Sequence, residues 1–141
     1  WFMMGLSAGY HNLDDFRSGK RPCGANETFW LEQEERMFAI FKKVIALGLL
    51  PVCGTDAGTG GTRFDETWLE LALMVRRGCL SAREAIRIGT AQSAACLGLT
   101  RETGAIGEGL SADLIALETD PITCIEALAH PARVMAQGRL V

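Results

Sequence analysis

The chain has 141 residues, is 48% hydrophobic and 22% charged, and carries a net charge of −3, the profile of one globular domain with a core of useful size. No basic block or aromatic–basic interleaving points to nucleic acid, and no apolar run approaches the roughly 18 residues that cross a bilayer. Five cysteines stand singly, with no C-x-x-C pair for zinc or redox chemistry. An odd, unpaired set fits a reducing, cytoplasmic compartment, and Cys53, Cys79 and Cys96 read as small buried hydrophobes.

The chain opens Trp1-Phe2-Met3-Met4, with neither an initiator methionine nor a signal pattern. That reads as a start within something larger, or as the beginning of a processed mature protein. Residues 1–28 are punctuated by Gly, Asn, Asp, Ser and Pro and predict loops or short broken elements. His11 has no second His or Cys at ligand spacing and reads as a solvated loop residue. A long helix is predicted over 29–47, with Met37, Phe38, Phe41, Val44 and Ile45 as its apolar stripe. Glu32 and Arg36 stand four apart on the other side. Asn26 or Thr28 can cap the start and Gly48 the end.

Leu49-Leu50-Pro51-Val52-Cys53-Gly54-Thr55-Asp56-Ala57-Gly58 follows. An apolar stretch that stops abruptly at small residues around one carboxylate is the pattern of a buried parallel strand with a site residue at its carboxyl end. The strand is placed at 49–53 and Asp56 becomes the leading candidate, although an Asp in a Gly/Thr-rich turn also serves simply as a turn former. The Gly-rich loop 54–65 lacks the Gly-Lys-Ser/Thr of a phosphate loop, does not spell G-x-G-x-x-G, and has Asp56-Ala57-Gly58 where an aspartic protease needs Asp-Thr-Gly or Asp-Ser-Gly.

A second helix is predicted over 66–77, with Trp68, Leu71, Ala72 and Val75 on one face and Gly78 as its stop. Ser81-Ala82-Arg83-Glu84 is a capping box opening a third helix to about Ile88. A fourth short helix then runs from Thr90 or Ala91 to Leu97 and ends at Gly98. The character changes at Gly104: a turn-rich stretch leads to a strand at 114–117, a brief helix at 122–128, and two short strands around Gln137-Gly138. A boundary is therefore placed near 103, giving units 1–103 and 104–141. The second should be β-rich and packed apart from the strand ending at Asp56.

Taken in order, several segments resemble the C-terminal part of the metal-dependent amidohydrolase superfamily, nearest its imidazolonepropionase-like and prolidase-like members. They are Gly54-Thr55-Asp56-Ala57-Gly58, Leu69-Glu70-Leu71-Ala72-Leu73-Met74-Val75, Leu80-Ser81-Ala82-Arg83-Glu84-Ala85-Ile86 and Gly89-Thr90-Ala91-Gln92-Ser93-Ala94-Ala95-Cys96-Leu97-Gly98-Leu99. Thr103-Gly104-Ala105-Ile106-Gly107-Glu108-Gly109-Leu110-Ser111-Ala112-Asp113-Leu114-Ile115 and Val134-Met135-Ala136-Gln137-Gly138-Arg139-Leu140-Val141 complete the set. Residues 1–28 carry none of the resemblance.

The resemblance implies an α/β fold: the C-terminal portion of a (β/α)8 barrel of the TIM type, plus part of a small β-sandwich. It implies a hydrolase of C–N bonds in amides, cyclic amides or peptide-like substrates. In it, Asp56 is a metal ligand and proton shuttle at the mouth of the eighth strand, beside a divalent metal, zinc by preference. A metal lowers the pKa of its water to about 7, where a nearby carboxylate can take the proton. Of the other ligands of that family, a His-x-His pair, a carboxylated Lys or a Glu, and two further His, none can be assigned here; this chain has two histidines, His11 and His130. Arg63 could clamp a substrate carboxylate, or stand as a solvated loop charge. The partners implied are a small-molecule substrate and, through uncovered strand edges, a second copy of the chain. The other reading is a non-catalytic α+β binding domain that keeps the same shape.

Overall fold

The structure, a computed structural model, describes residues 1–8, 10, 18, 27–58 and 62–141. It is a mixed α/β arrangement with two small sheets. β1 (Phe2–Met3) and β2 (Pro51–Val52) pair in parallel, Phe2 opposite Pro51 and Met3 opposite Val52. A parallel pair needs a crossover, and helix α1 (Glu27–Ala46) lies between the two strands in sequence. The short broken elements expected within 1–28 include a strand at Phe2–Met3 and a helical stretch at residues 6–8. Two strand residues are too few to show a period of two. His11, Cys23 and the cap candidate Asn26 lie outside the described residues, and Thr28 falls inside α1.

α1 buries Phe38 and Phe41 as its stripe requires. It ends in a Schellman turn: Gly48 has φ +75, its N–H donates to the Ile45 carbonyl, and the Leu49 N–H reaches back to Val44. α2 (Thr67–Arg76) is buried along Leu69–Met74 and forms the centre of the core with Leu6, Phe38, Phe41, Ala85 and Ile88. Its end differs from expectation. Cys79, not Gly78, adopts the left-handed conformation, at φ +65, which turns Cys79 outward to an exposed position instead of the buried one predicted. Gly78 is a glycine for want of room: a Cβ there would strike the Met74 carbonyl and lie 2.8 Å from Phe41 Cε1.

The capping box forms as read. The Glu84 N–H donates to Ser81 Oγ at 3.3 Å while Glu84 Oε2 accepts from the Ser81 N–H at 2.8 Å. The break expected near Gly89 does not occur. α3 (Ala82–Arg87) passes through a π-helical turn (Ile88–Gln92) into α4 (Ser93–Cys96) without interruption. Thr90 Oγ1 donates back to the Ile86 carbonyl at 2.7 Å, and Gly89 lets Leu71 approach.

From Leu114 onward, β3 (Leu114–Ala116), β4 (Arg133–Ala136) and β5 (Arg139–Leu140) form an antiparallel sheet in that order. Gln137 and Gly138, at φ +50 and +78, make the two-residue hairpin turn. The predicted helix at 122–128 is a 3-10 turn (Ile125–Ala129). This turn buries Ile125, sets Leu128 against the core, and ties to α2 through Arg76 Nε donating to Glu126 Oε1 at 2.7 Å. The C-terminal sheet is thus distinct from β1–β2, but its segment is anchored to the helical layer rather than packed wholly apart. Among the described residues no helix is long and apolar enough to cross a membrane.

Candidate active site

β2 ends at Val52, and Asp56 stands beyond its carboxyl end with φ +55, exposed to solvent. The turn is built locally: Thr55 Oγ1 accepts from the Ala57 N–H at 3.2 Å, and the Thr62 carbonyl accepts from the Gly58 N–H at 3.0 Å, closing the loop that follows. Asp tolerates the left-handed region better than most residues because its short polar side chain can bond locally. The end of β1 lies alongside. A Cβ on Gly5 would sit 3.5 Å from the Thr55 carbonyl oxygen and 3.7 Å from Asp56 Cβ. A Cβ on Gly54 would collide with Met3 Sδ, so glycine at 54 is what lets the Met3 side chain pack against the end of β2.

On its other side β2 is held by side chains. Leu50 directs its carbonyl to Phe2 of β1, so the alternation of a strand turns Pro51 and Cys53 the opposite way. There Gln92 Nε2 donates to the Pro51 carbonyl, and Ser93 Oγ accepts from the Cys53 N–H at 3.1 Å while donating to the Ile88 carbonyl at 2.6 Å. The junction of the π-helical turn with α4 thus presents two consecutive polar side chains, Gln92 and Ser93, to one strand edge. Cys53 packs against the core, where burial, and secondarily the Glu70 charge, push its thiol up to about 12; it is no nucleophile at neutral pH.

Glu70 was not singled out by sequence reasoning, yet it is the most deeply buried carboxylate of the described residues. It is 0% exposed. Its Oε1 accepts from the Leu6 N–H at 2.7 Å and its Oε2 from the Ser7 N–H at 2.8 Å. Burial pushes its carboxyl up, and the two N–H groups work against that rise. The available signal was a single acid in the apolar run Leu69–Met74.

Arg63 does not face Asp56 as a free cation. Its guanidinium is bound by Asp65, Nε to Oδ1 at 2.9 Å and Nη2 to Oδ2 at 2.7 Å, with Glu66 Oε1 at 3.8 Å from Nε. The Arg63 hydrogen bonds hold the Asp65 carboxyl below its ordinary value. His130 is exposed, in the segment before β4. Among the described residues no three His, Cys, Asp or Glu side chains come together in a group that could hold a metal ion. Asp56 alone therefore does not make a metal site, and any such site needs donors from outside these residues.

The chain is similar in sequence and in fold to several hydrolases. It is 36% identical to the ochratoxinase of Aspergillus niger over 95 residues, 67% of this chain and 19% of that protein, and superposes on that enzyme's crystal structure with a TM-score of 0.76. A candidate prolidase from Bifidobacterium longum gives a TM-score of 0.82 at 33% identity, covering 99% of this chain and 34% of the other. A Xaa-Pro dipeptidase solved with methionine in its active site gives 0.77 at 27% identity, covering 97% and 33%. The chain therefore spans about a fifth of the curated relative and about a third of each solved neighbour. The Asp56 turn, the capping box and the β3–β5 sheet all fall within residues 32–141, the stretch matched by the amidohydrolase family, and the chain belongs to that family.

Proposed function

We propose that this chain is the C-terminal portion of a hydrolase of amide or peptide C–N bonds, whose active site opens at the carboxyl ends of β1 and β2. In this reading β2 is the last strand of a (β/α)8 barrel and β3–β5 belong to an appended β-sandwich, with the boundary near 103. The observation that carries it is the placement of Asp56: a solvent-facing carboxylate at the carboxyl end of a parallel strand, set in a turn that the end of β1 also touches. Barrel enzymes gather their chemistry at that face. The likeness to a prolidase-type protein, a Xaa-Pro dipeptidase and ochratoxinase supports the bond type.

The role assigned to Asp56 is proton transfer. Its carboxylate takes a proton from the water whose oxygen attacks the substrate carbonyl carbon. It returns that proton to the nitrogen as the C–N bond breaks, leaving a carboxylic acid and an amine. A divalent metal, zinc by preference, would find a single oxygen donor here and take its remaining ligands from the rest of the protein. Arg63 is assigned to a substrate carboxylate, because its guanidinium already holds one two-pronged, that of Asp65, and a substrate would take its place.

The test is Asp56→Asn in the full-length hydrolase, assayed on Xaa-Pro dipeptides and N-acylated amino acids. Turnover should fall by at least about 10²-fold, the low end for removing a positioned base, with cooperative unfolding preserved. A well-folded variant with near-wild-type hydrolysis refutes the role.

A further inference from the structure

Glu70 sits on α2, 64 residues from Leu6 in sequence, and is wholly enclosed. A side chain with no exposed surface cannot touch a substrate. Burying a carboxylate is unfavourable unless its oxygens are satisfied, and here each oxygen is met by a main-chain N–H from consecutive residues, at 2.7 and 2.8 Å. Those two N–H groups belong to the start of the helical stretch 6–8, which follows β1 after Met4 and Gly5. Unpaired N–H groups at a helix start attract an anion, and Glu70 supplies it from the neighbouring helix. The residue before Leu6 is Gly5, whose Cα side lies against Thr55 and Asp56. Carboxylate, backbone, Gly5 and Asp56 turn therefore form one continuous set of contacts. Core packing alone would be served by an apolar side chain among Leu69, Leu71 and Leu73.

Resting on the reading of Asp56 given above, we infer that Glu70 is a positioning residue: it clamps the backbone at Leu6 and Ser7, and through Gly5 fixes the end of β1 against the Asp56 turn. Its effect reaches the site through the backbone, without contact to substrate. Glu70→Gln is the matching variant, since the amide keeps the volume but offers one acceptor where two N–H groups need one each.

The full-length protein carrying Glu70→Gln is compared with wild type and with Asp56→Asn, using zinc and methionyl-proline as probes. For Glu70→Gln, kcat should fall on the order of 10²-fold, the scale of an ångström-sized misplacement, with KM moving less than about twofold because uniform binding is untouched. Zinc affinity should fall, and amide exchange at Leu6 and Ser7 should rise at temperatures well below unfolding. Because coupling between sites is reciprocal, stripping zinc from the wild-type protein should also speed exchange at those two amides. A Glu70→Gln protein that only melts earlier, with kcat and zinc affinity intact, overturns the inference and leaves Glu70 structural. If Glu70→Gln does not fold, the wild-type comparison decides: exchange at Leu6 and Ser7 indifferent to zinc overturns it. An Asp56→Asn protein that keeps zinc and turnover overturns the reading of Asp56 itself, whereas loss in Asp56→Asn without loss in Glu70→Gln sinks the clamp alone.

Discussion

In the proposed reading Asp56 has two separable roles, one in backbone shape and one in chemistry. With φ +55 it occupies a region that costs an ordinary L-residue roughly 1–2 kcal/mol. Asn shares its tolerance of that region and Ala does not. Asp56→Asn should therefore leave the unfolding midpoint nearly unchanged, while Asp56→Ala should lose about 1 kcal/mol in denaturant unfolding; both should lose turnover. Asp113 shows the same economy in a structural place. Its Oδ1 accepts from the Gln137 N–H at 2.8 Å and its Oδ2 from Thr103 Oγ1 at 3.1 Å. The Gln137 N–H above all, then the Ser111 hydroxyl, hold its carboxyl below the ordinary value. A depressed carboxylate contributes stability above its unfolded pKa of about 3.9 and loses it as pH falls through the folded value. Asp113→Asn should thus be less stable at neutral pH and show a shallower acid limb. Glu70, whose pKa is raised by burial, has the opposite sign, so acidification does not destabilise the fold through it.

Among the elements, α1, α2 and the capping box of α3 were legible because each rests on local rules: a stripe at helical spacing, a Gly able to take φ +75, a Ser three residues before a Glu. The hairpin at Gln137-Gly138 was legible for the same reason. What was missed depends on partners distant in sequence. β1 has two strand residues and is defined by pairing with residues some fifty positions on; Glu70 takes its meaning from Leu6 and Ser7; and Gly89-Thr90, which looks like a break, is bridged because Leu71 and the Ile86 carbonyl engage it. Of the site, Asp56 was found at the strand end, but the groups that hold its surroundings were not. The π-helical turn gives the element-scale test. Ser93→Ala strands the half-buried Cys53 N–H and removes the hydroxyl from the Ile88 carbonyl, which keeps the Ser93 N–H as donor. It should cost about 1–3 kcal/mol, the penalty for an unmet buried group, measured as a shift in denaturant midpoint, and Ser93→Thr should recover part of it.

At the scale of the whole molecule, a chain that spans about a third of its solved neighbours presents one carboxylate at the candidate site and no metal cluster among its described residues. The 141-residue chain by itself should accordingly neither bind zinc stoichiometrically nor hydrolyse amides. Metal content measured before and after thiol blocking, against an Asp56→Ala control, checks this; Asp56-dependent zinc with turnover would mean that a complete site exists within the chain or between its copies. The covering of β2 by Gln92 and Ser93 has a wider consequence. Strand edges recruit further strands wherever their main-chain groups stand open. Here one flank is occupied at Pro51 and Cys53, while β1, among the described residues, pairs with β2 alone. The parallel sheet is therefore uneven at its two edges: on β2 the main-chain groups of Pro51 and Cys53 are already met by side chains, while no described strand lies on the far side of β1.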